Sequence, residues 1–201
     1  MISALFGAWG GCWDDMRKAS LLEMCAFVLI TVMFHGALMS KSKTRKSKRV
    51  PYDKLSDDEK VLKNWNKARG LYDRGEWSVA ILRCGTCLEL ATNLAIRQEL
   101  VEDRKLPLPF VDKLLRNANG IHNKYQNIYL PIMDEYQEVE SLKTLWFQAI
   151  SKIIQERNAI AHKGEFRSKS KATEVMEKTH KALVEIFDLH DGKSKVKPFE
   201  T

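Results

Sequence analysis

At 201 residues, 44% of them hydrophobic, the chain has length for one real core plus an appendage and little more. Its formal net charge of +7 is uneven: eight Lys or Arg against Asp14, Asp15 and Glu23 put +5 on the first fifty residues and +2 on the rest, so a high pI says little about nucleic-acid binding by the folded body. Four cysteines (Cys12, Cys25, Cys84, Cys87) are too few and too scattered for a disulfide framework, which excludes the small disulfide-stapled classes.

Taken in chain order, the first element is the apolar run Leu21 to Met39, with no formal charge between Glu23 and Lys41 if His35 is neutral. At ~1.5 Å per residue it just reaches across the ~30 Å of a hydrocarbon layer, as a short transmembrane helix with Glu23 and His35 near its ends. The six cations of SKSKTRKSKR follow directly, against only Arg17 and Lys18 before the run. The positive-inside rule then puts the amino terminus outside and everything after Lys41 in the cytoplasm. The same basic run suits anionic lipid. Two alternatives stay open: a signal peptide, with Met16 as a start before Arg17 and Lys18, and a buried or partner-binding helix.

Lys41 to Pro51 is rich in Ser and Lys without apolar period and reads as a linker. Ser56 and Glu59 stand at capping-box spacing and open a helix whose apolar face is Val61, Leu62, Trp65, Ala68 and Tyr72, ended by Gly75. A second helix runs from about Trp77 to about Leu100, with Ala80, Ile81, Cys84, Cys87, Leu88, Ala91, Leu94 and Ala95 as its stripe. Cys84 and Cys87 form a C-x-x-C inside that stripe, where core packing outweighs metal or redox chemistry, and no metal is assigned. Pro107 and Pro109 interrupt. Phe110, Val111, Leu114 and Leu115 then suggest a short third helix stopped at Asn119 and Gly120.

Pro131 suits the first turn of a fourth, longer helix through Tyr136, Val139, Leu142, Trp146, Ile150 and Ile153 to the neighbourhood of His162. A fifth spans about Ala172 to Leu189, with Val175, Met176, Thr179, Leu183, Ile186 and Phe187 inward. No segment alternates long enough for a strand. The fold class is therefore all-α, a four- to five-helix bundle behind an amino-terminal hydrophobic helix. The organisation is an anchor over 1–40, a basic linker over 41–54, a helical domain over 55–190 and a polar tail over 191–201.

Along the fourth helix the stripe Trp146, Ile150, Ile153 steps on to Arg157, which takes a core-facing slot, and the parallel row Phe147, Ile154 ends in Asn158. A guanidinium in such a slot needs partners or a polar cleft, because an unpaired buried charge costs several kcal/mol. His162 lies one turn beyond Asn158 and just before Gly164, a C-terminal stop, where the helix dipole favours an imidazolium. A histidine poised near its titration point suits acid-base work.

RNAIAH, residues 157 to 162, resembles the signature of the HEPN (higher eukaryotes and prokaryotes nucleotide-binding) family: an Arg, a polar residue after it, and a His four to six residues on, late in a long bundle helix. The resemblance covers roughly residues 55 to 190. It implies a metal-independent endoribonuclease that works as a homodimer with facing motifs, with catalytic residues Arg157, Asn158 and His162, no metal and no cofactor. His162 would act as base on a ribose 2′-hydroxyl or acid on the leaving oxygen, and Arg157 would neutralise charge growing on phosphorus. Residues five apart on a regular helix point ~140° from each other, so a composite dimer site or a distorted helix end is needed to bring the two together. Lys163, Arg167, Lys169 and Lys171 follow and could hold RNA phosphates, or form a solvated basic loop.

The resemblance also implies a defence or stress role and a regulatory or antitoxin partner. Toxins of this family paired with a nucleotidyltransferase antitoxin carry a Tyr two residues after the His, where this chain has Gly164. Two other readings stand beside the enzyme. One is a noncatalytic nucleotide-, RNA- or protein-binding adaptor. The other is purely structural, with Arg157 paired to Glu89, Asn158 a helix-end amide and His162 a capping cation. His35, His122, His180 and His190 have no matching acid, Cys or His at chemical spacing and read as surface or core residues.

Overall fold

A computed structural model describes residues 50–136, 139–191 and 195–200. The expected membrane helix and most of the basic linker lie outside the described residues. Contacts divide the chain after Arg49, and Val50 onward forms a unit of its own. Among the described residues every regular element is helical.

The first helix, α1 (Asp57–Asp73), starts at a capping box in which Glu59 Oε2 accepts from the Ser56 backbone N–H at 2.9 Å. Its Val61, Trp65, Ala68, Leu71 and Tyr72 are buried, and Gly75 at φ 77° turns the chain. Next comes α2 (Trp77–Arg97), extended by a π-helical segment, Gln98–Asp103. This rod is long and apolar enough, by length and composition, to cross a membrane. Here it is the central helix, packed against α1 and its residues Ala80, Ile81, Cys84, Gly85, Cys87, Leu88 and Ala91 buried. Thr92 is buried with them, its own hydroxyl satisfied by donating to the Leu88 carbonyl at 2.9 Å.

A third helix, α3 (Leu108–Asn117), buries Val111 and Leu115 and leaves Phe110 exposed. The next rod departs from the sequence expectation. It begins at Gly120, as α4 (Gly120–Lys124), passes through a π segment, Tyr125–Tyr129, and ends as α5 (Leu130–Met133). Pro131 does occupy the first turn of α5, but it ends a rod instead of opening the long one. A second rod then starts afresh with α6 (Val139–Leu145), a π segment (Trp146–Ile150) and α7 (Ser151–Lys163). Among the described residues the bundle thus has six rods where four or five were expected. Ile121, Tyr125, Tyr129, Leu130 and Met133 bury the extra rod's inner side.

The last helix, α8 (Lys169–Asp191), lies along α2 with Val175, Met176, Thr179, Leu183, Ile186 and Phe187 all buried, the face read from the sequence. Cys84 Sγ sits 3.3 Å from Met176 Sδ across this contact, so the C-x-x-C belongs to the core. Burial raises the Cys84 thiol to about 12 and the Cys87 thiol well above its ordinary value. The segment expected as a polar tail is no free tail: Val196 is buried, Trp65 Nε1 donates to the Lys197 carbonyl at 2.9 Å, and Phe199 packs edge-on to Tyr72 at 5.1 Å. The returning chain thus adds to the cover that α8 gives these two aromatic side chains of α1.

Candidate functional site

The π segment ahead of α7 ends at Ile150, and α7 is regular α-helix through Lys163. Gly164 at φ 68° stops it, its N–H bonding the Ile160 carbonyl at 3.2 Å. His162 and Lys163 therefore stand in the last turn, where the negative end of the helix favours cations.

Arg157 is half-buried and reaches its position across a close approach of α7 to α2. A methyl group built on Gly85 would lie 2.9 Å from Arg157 Cγ and 3.4 Å from its Cβ, so only glycine leaves room for the arginine stem. Beyond that stem the guanidinium Nη1 donates to Asn158 Oδ1 at 3.0 Å. The structural alternative for this arginine fails at its partner: Glu89 accepts instead from Lys124 Nζ at 2.8 Å, with the lysine side chain only 9% exposed. Arg157 makes no ion pair among the described residues. Its charge is left available to an outside anion, and Asn158 and His162 are both exposed beside it.

The four cations that follow separate into two kinds. Arg167 bonds Glu156 through Nε and Glu165 through Nη1 at 2.7 Å, while its backbone N–H donates to Ser78 Oγ at 2.9 Å. Lys171 reaches Glu174 at 2.8 Å and Glu156 at 3.8 Å. These carboxylates raise both cations' pKa values, and the pair braces the loop between α7 and α8. Lys163 and Lys169 are exposed and carry no ion pair among the described residues.

On the regular turns of α7, Arg157 and His162 project ~140° apart, so one chain does not converge them on a single phosphate. Among the described residues no group of three or more His, Cys, Asp and Glu is arranged to hold a metal ion. His122 sits edge-on to Trp146 at 5.3 Å, and His180 stacks on Trp65 at 5.9 Å.

His190 is different, and sequence reasoning missed it. Its Nε2 lies 2.6 Å from the Tyr129 hydroxyl and its Nδ1 3.7 Å from Glu99 Oε1, while the Tyr136 hydroxyl donates to Glu99 Oε2 at 3.2 Å. Burial holds His190 below its ordinary pKa and Glu99 above the usual carboxylate range. Its members come from three separate helical rods and the turn after α5, so no local spacing could have announced the cluster. Comparison with known protein families, curated proteins and solved structures finds no match to this chain.

Proposed function

We propose that this chain is a metal-independent endoribonuclease of HEPN type that acts as a homodimer. One observation carries it: an arginine whose stem is packed on Gly85 and whose exposed guanidinium has no carboxylate partner among the described residues, next to an exposed amide and histidine at a helix end. A cation fixed at its root and open at its head offers an anionic substrate a pre-positioned partner for charge-assisted hydrogen bonds. In the composite site, His162 of one protomer removes the ribose 2′-hydroxyl proton as that oxygen attacks phosphorus. The partner's histidine protonates the departing 5′-oxygen as the P–O bond breaks, and Arg157 stabilises charge on the phosphoryl oxygens. The products are a 2′,3′-cyclic phosphate and a 5′-hydroxyl.

The same reading places the body in the cytoplasm, tethered by a membrane helix within residues 1–40 and serving in defence or stress, with a regulatory or antitoxin protein as partner. Sedimentation with membranes that survives high salt is the result that supports the tether; release by salt alone counts against an inserted helix. A second reading, a noncatalytic adaptor that binds nucleotide, RNA or protein, draws on the exposed His162, whose ring is oriented by no hydrogen bond among the described residues.

The deciding experiment incubates the purified chain with single-stranded RNA in EDTA and identifies the product ends by mass spectrometry. Cyclic-phosphate products that disappear in His162→Ala, with dimer and helicity intact, support the enzyme. RNA bound but uncut by the wild type favours the adaptor.

A further inference from the structure

We propose that Phe166 is the base-stacking residue of this site, holding an unpaired base of a single-stranded RNA between the two exposed lysines Lys163 and Lys169. The inference rests on the ribonuclease reading and adds a base-contacting residue to it. Phe166 is 91% exposed, the most open of the large apolar side chains among the described residues. A phenylalanine so placed gains nothing from the fold, and water is a poor surrounding for its ring.

The exposure is not that of a slack loop. Residues on either side are tied down: Gly164 is locked on the end of α7, Glu165 takes a backbone bond to Ala159 at 3.4 Å and pairs with Arg167 at 2.7 Å, and the Arg167 N–H is anchored on Ser78. The ring is thus presented from a braced backbone, which lowers the entropy lost when a ligand stacks on it.

Charge complementarity names the occupant. Lys163 and Lys169 stand three residues to either side of the ring, exposed and without ion pairs among the described residues, while the intervening Arg167 is consumed by Glu156 and Glu165. A π-face flanked along the chain by two cations without ion pairs matches a base flanked by two phosphates. Four residues span at most ~14 Å, so the ring also lies within reach of a nucleotide next to the phosphate at His162. Duplex RNA hides its base faces, which restricts the site to single strands.

The test uses the full chain. A short single-stranded RNA containing 2-aminopurine is titrated into His162→Ala, where stacking quenches the fluorophore, and cleavage kinetics are compared for wild type, Phe166→Ala, Phe166→Leu and Phe166→Trp. Phe166→Ala is expected to weaken binding and raise KM about tenfold at little change in kcat, with the quench lost. Phe166→Trp should restore both and Phe166→Leu neither. Thermal unfolding should not move in any of them. If the wild type cuts RNA and Phe166→Ala cuts with an unchanged KM, or Phe166→Leu restores binding as well as Trp, stacking is overturned and the ribonuclease reading stands. If Phe166→Ala instead breaks the dimer at unaltered RNA affinity per site, the ring is a contact between copies and the proposal is wrong. A wild type that neither binds nor cuts RNA removes both readings together.

Discussion

Gly85→Ala asks whether the arginine of the site is held by a helix crossing. In a helix interior the change should stabilise by ~0.8–1.0 kcal/mol, from lost unfolded-chain freedom and better propensity. Here the added methyl meets Arg157 Cγ at 2.9 Å, against the ~3.5–4.0 Å of a relaxed carbon contact, and Cβ and Cδ stand close behind at 3.4 and 3.6 Å. Those atoms are the root of the side chain, so α7 or the whole arginine has to move. Overpacking of this kind costs ~1–3 kcal/mol, which exceeds the propensity gain and leaves the variant destabilised by about 1 kcal/mol. Gly70 in α1 supplies the control: its methyl would meet only Arg74 Nη1, at 3.6 Å, so Gly70→Ala should stabilise by up to ~1 kcal/mol. The two variants should therefore differ by ~2 kcal/mol in urea unfolding followed by far-ultraviolet circular dichroism, or ~4–8 °C in Tm for a chain of this size. In an Arg157→Ala background Cγ and Cδ are gone, and Gly85→Ala should become stabilising, giving a coupling of ~2 kcal/mol in the double-mutant cycle. Gly85→Ala as stabilising as Gly70→Ala with Arg157 present would refute the close approach, and with it the account of how the guanidinium is held.

Two further outcomes follow from charge. His190 and His180 are both held below their ordinary value near 6.5, in each case chiefly by burial, so the folded chain keeps them neutral and the unfolded chain takes up protons first. Their contribution to stability is complete above pH ~6.5 and declines as the pH falls towards their folded values; urea midpoints should drop between pH 7.5 and 5.5, and less so in His190→Gln. A midpoint that rises on acidification contradicts this. Arg167→Ala should lower the urea midpoint, because the side chain's bonds to Glu156 and Glu165 are lost while the backbone N–H keeps its bond to Ser78, whereas Lys169→Ala should leave the midpoint within error.

Most of the fold was legible because its signals are local. The capping box at Ser56 and Glu59, the apolar stripes of α2 and α8 and the glycine stops at Gly75 and Gly164 are set by residues within a turn or two of each other. The rod from Gly120 to Met133 was not. α3 ends at Asn117 and α4 begins at Gly120 with only Ala118 and Asn119 between them, and a stop signal so placed hides the start it also provides. Pro131 is a poor guide there because the turn before it is π-helical, with the Leu130 N–H bonded five residues back to Tyr125. A widened turn relieves the clash between a proline ring and the preceding carbonyls, so proline is tolerated where the pattern alone places a helix start.

At the site the limit is different. That Arg157 lies on an inward stripe could be counted from Trp146, Ile150 and Ile153; which carboxylate it meets could not. Glu89 was a reasonable candidate on charge and helix order, but Lys124, thirty-five residues further on, takes it from a rod the pattern did not reveal. The same ignorance ran through the basic run after His162, where Lys163, Arg167, Lys169 and Lys171 look alike in sequence. Glu156 sits one turn before Ile160 on α7 and draws Arg167 and Lys171 back onto the helix, and that choice alone leaves Lys163 and Lys169 facing solvent. An ion pair is a statement about three-dimensional neighbours, each competing for few carboxylates, so charge counted along a chain overstates the cations a ligand can find. In the basic run after His162, that competition leaves Lys163 and Lys169 as the two cations without an ion pair among the described residues, beside the histidine and the exposed ring.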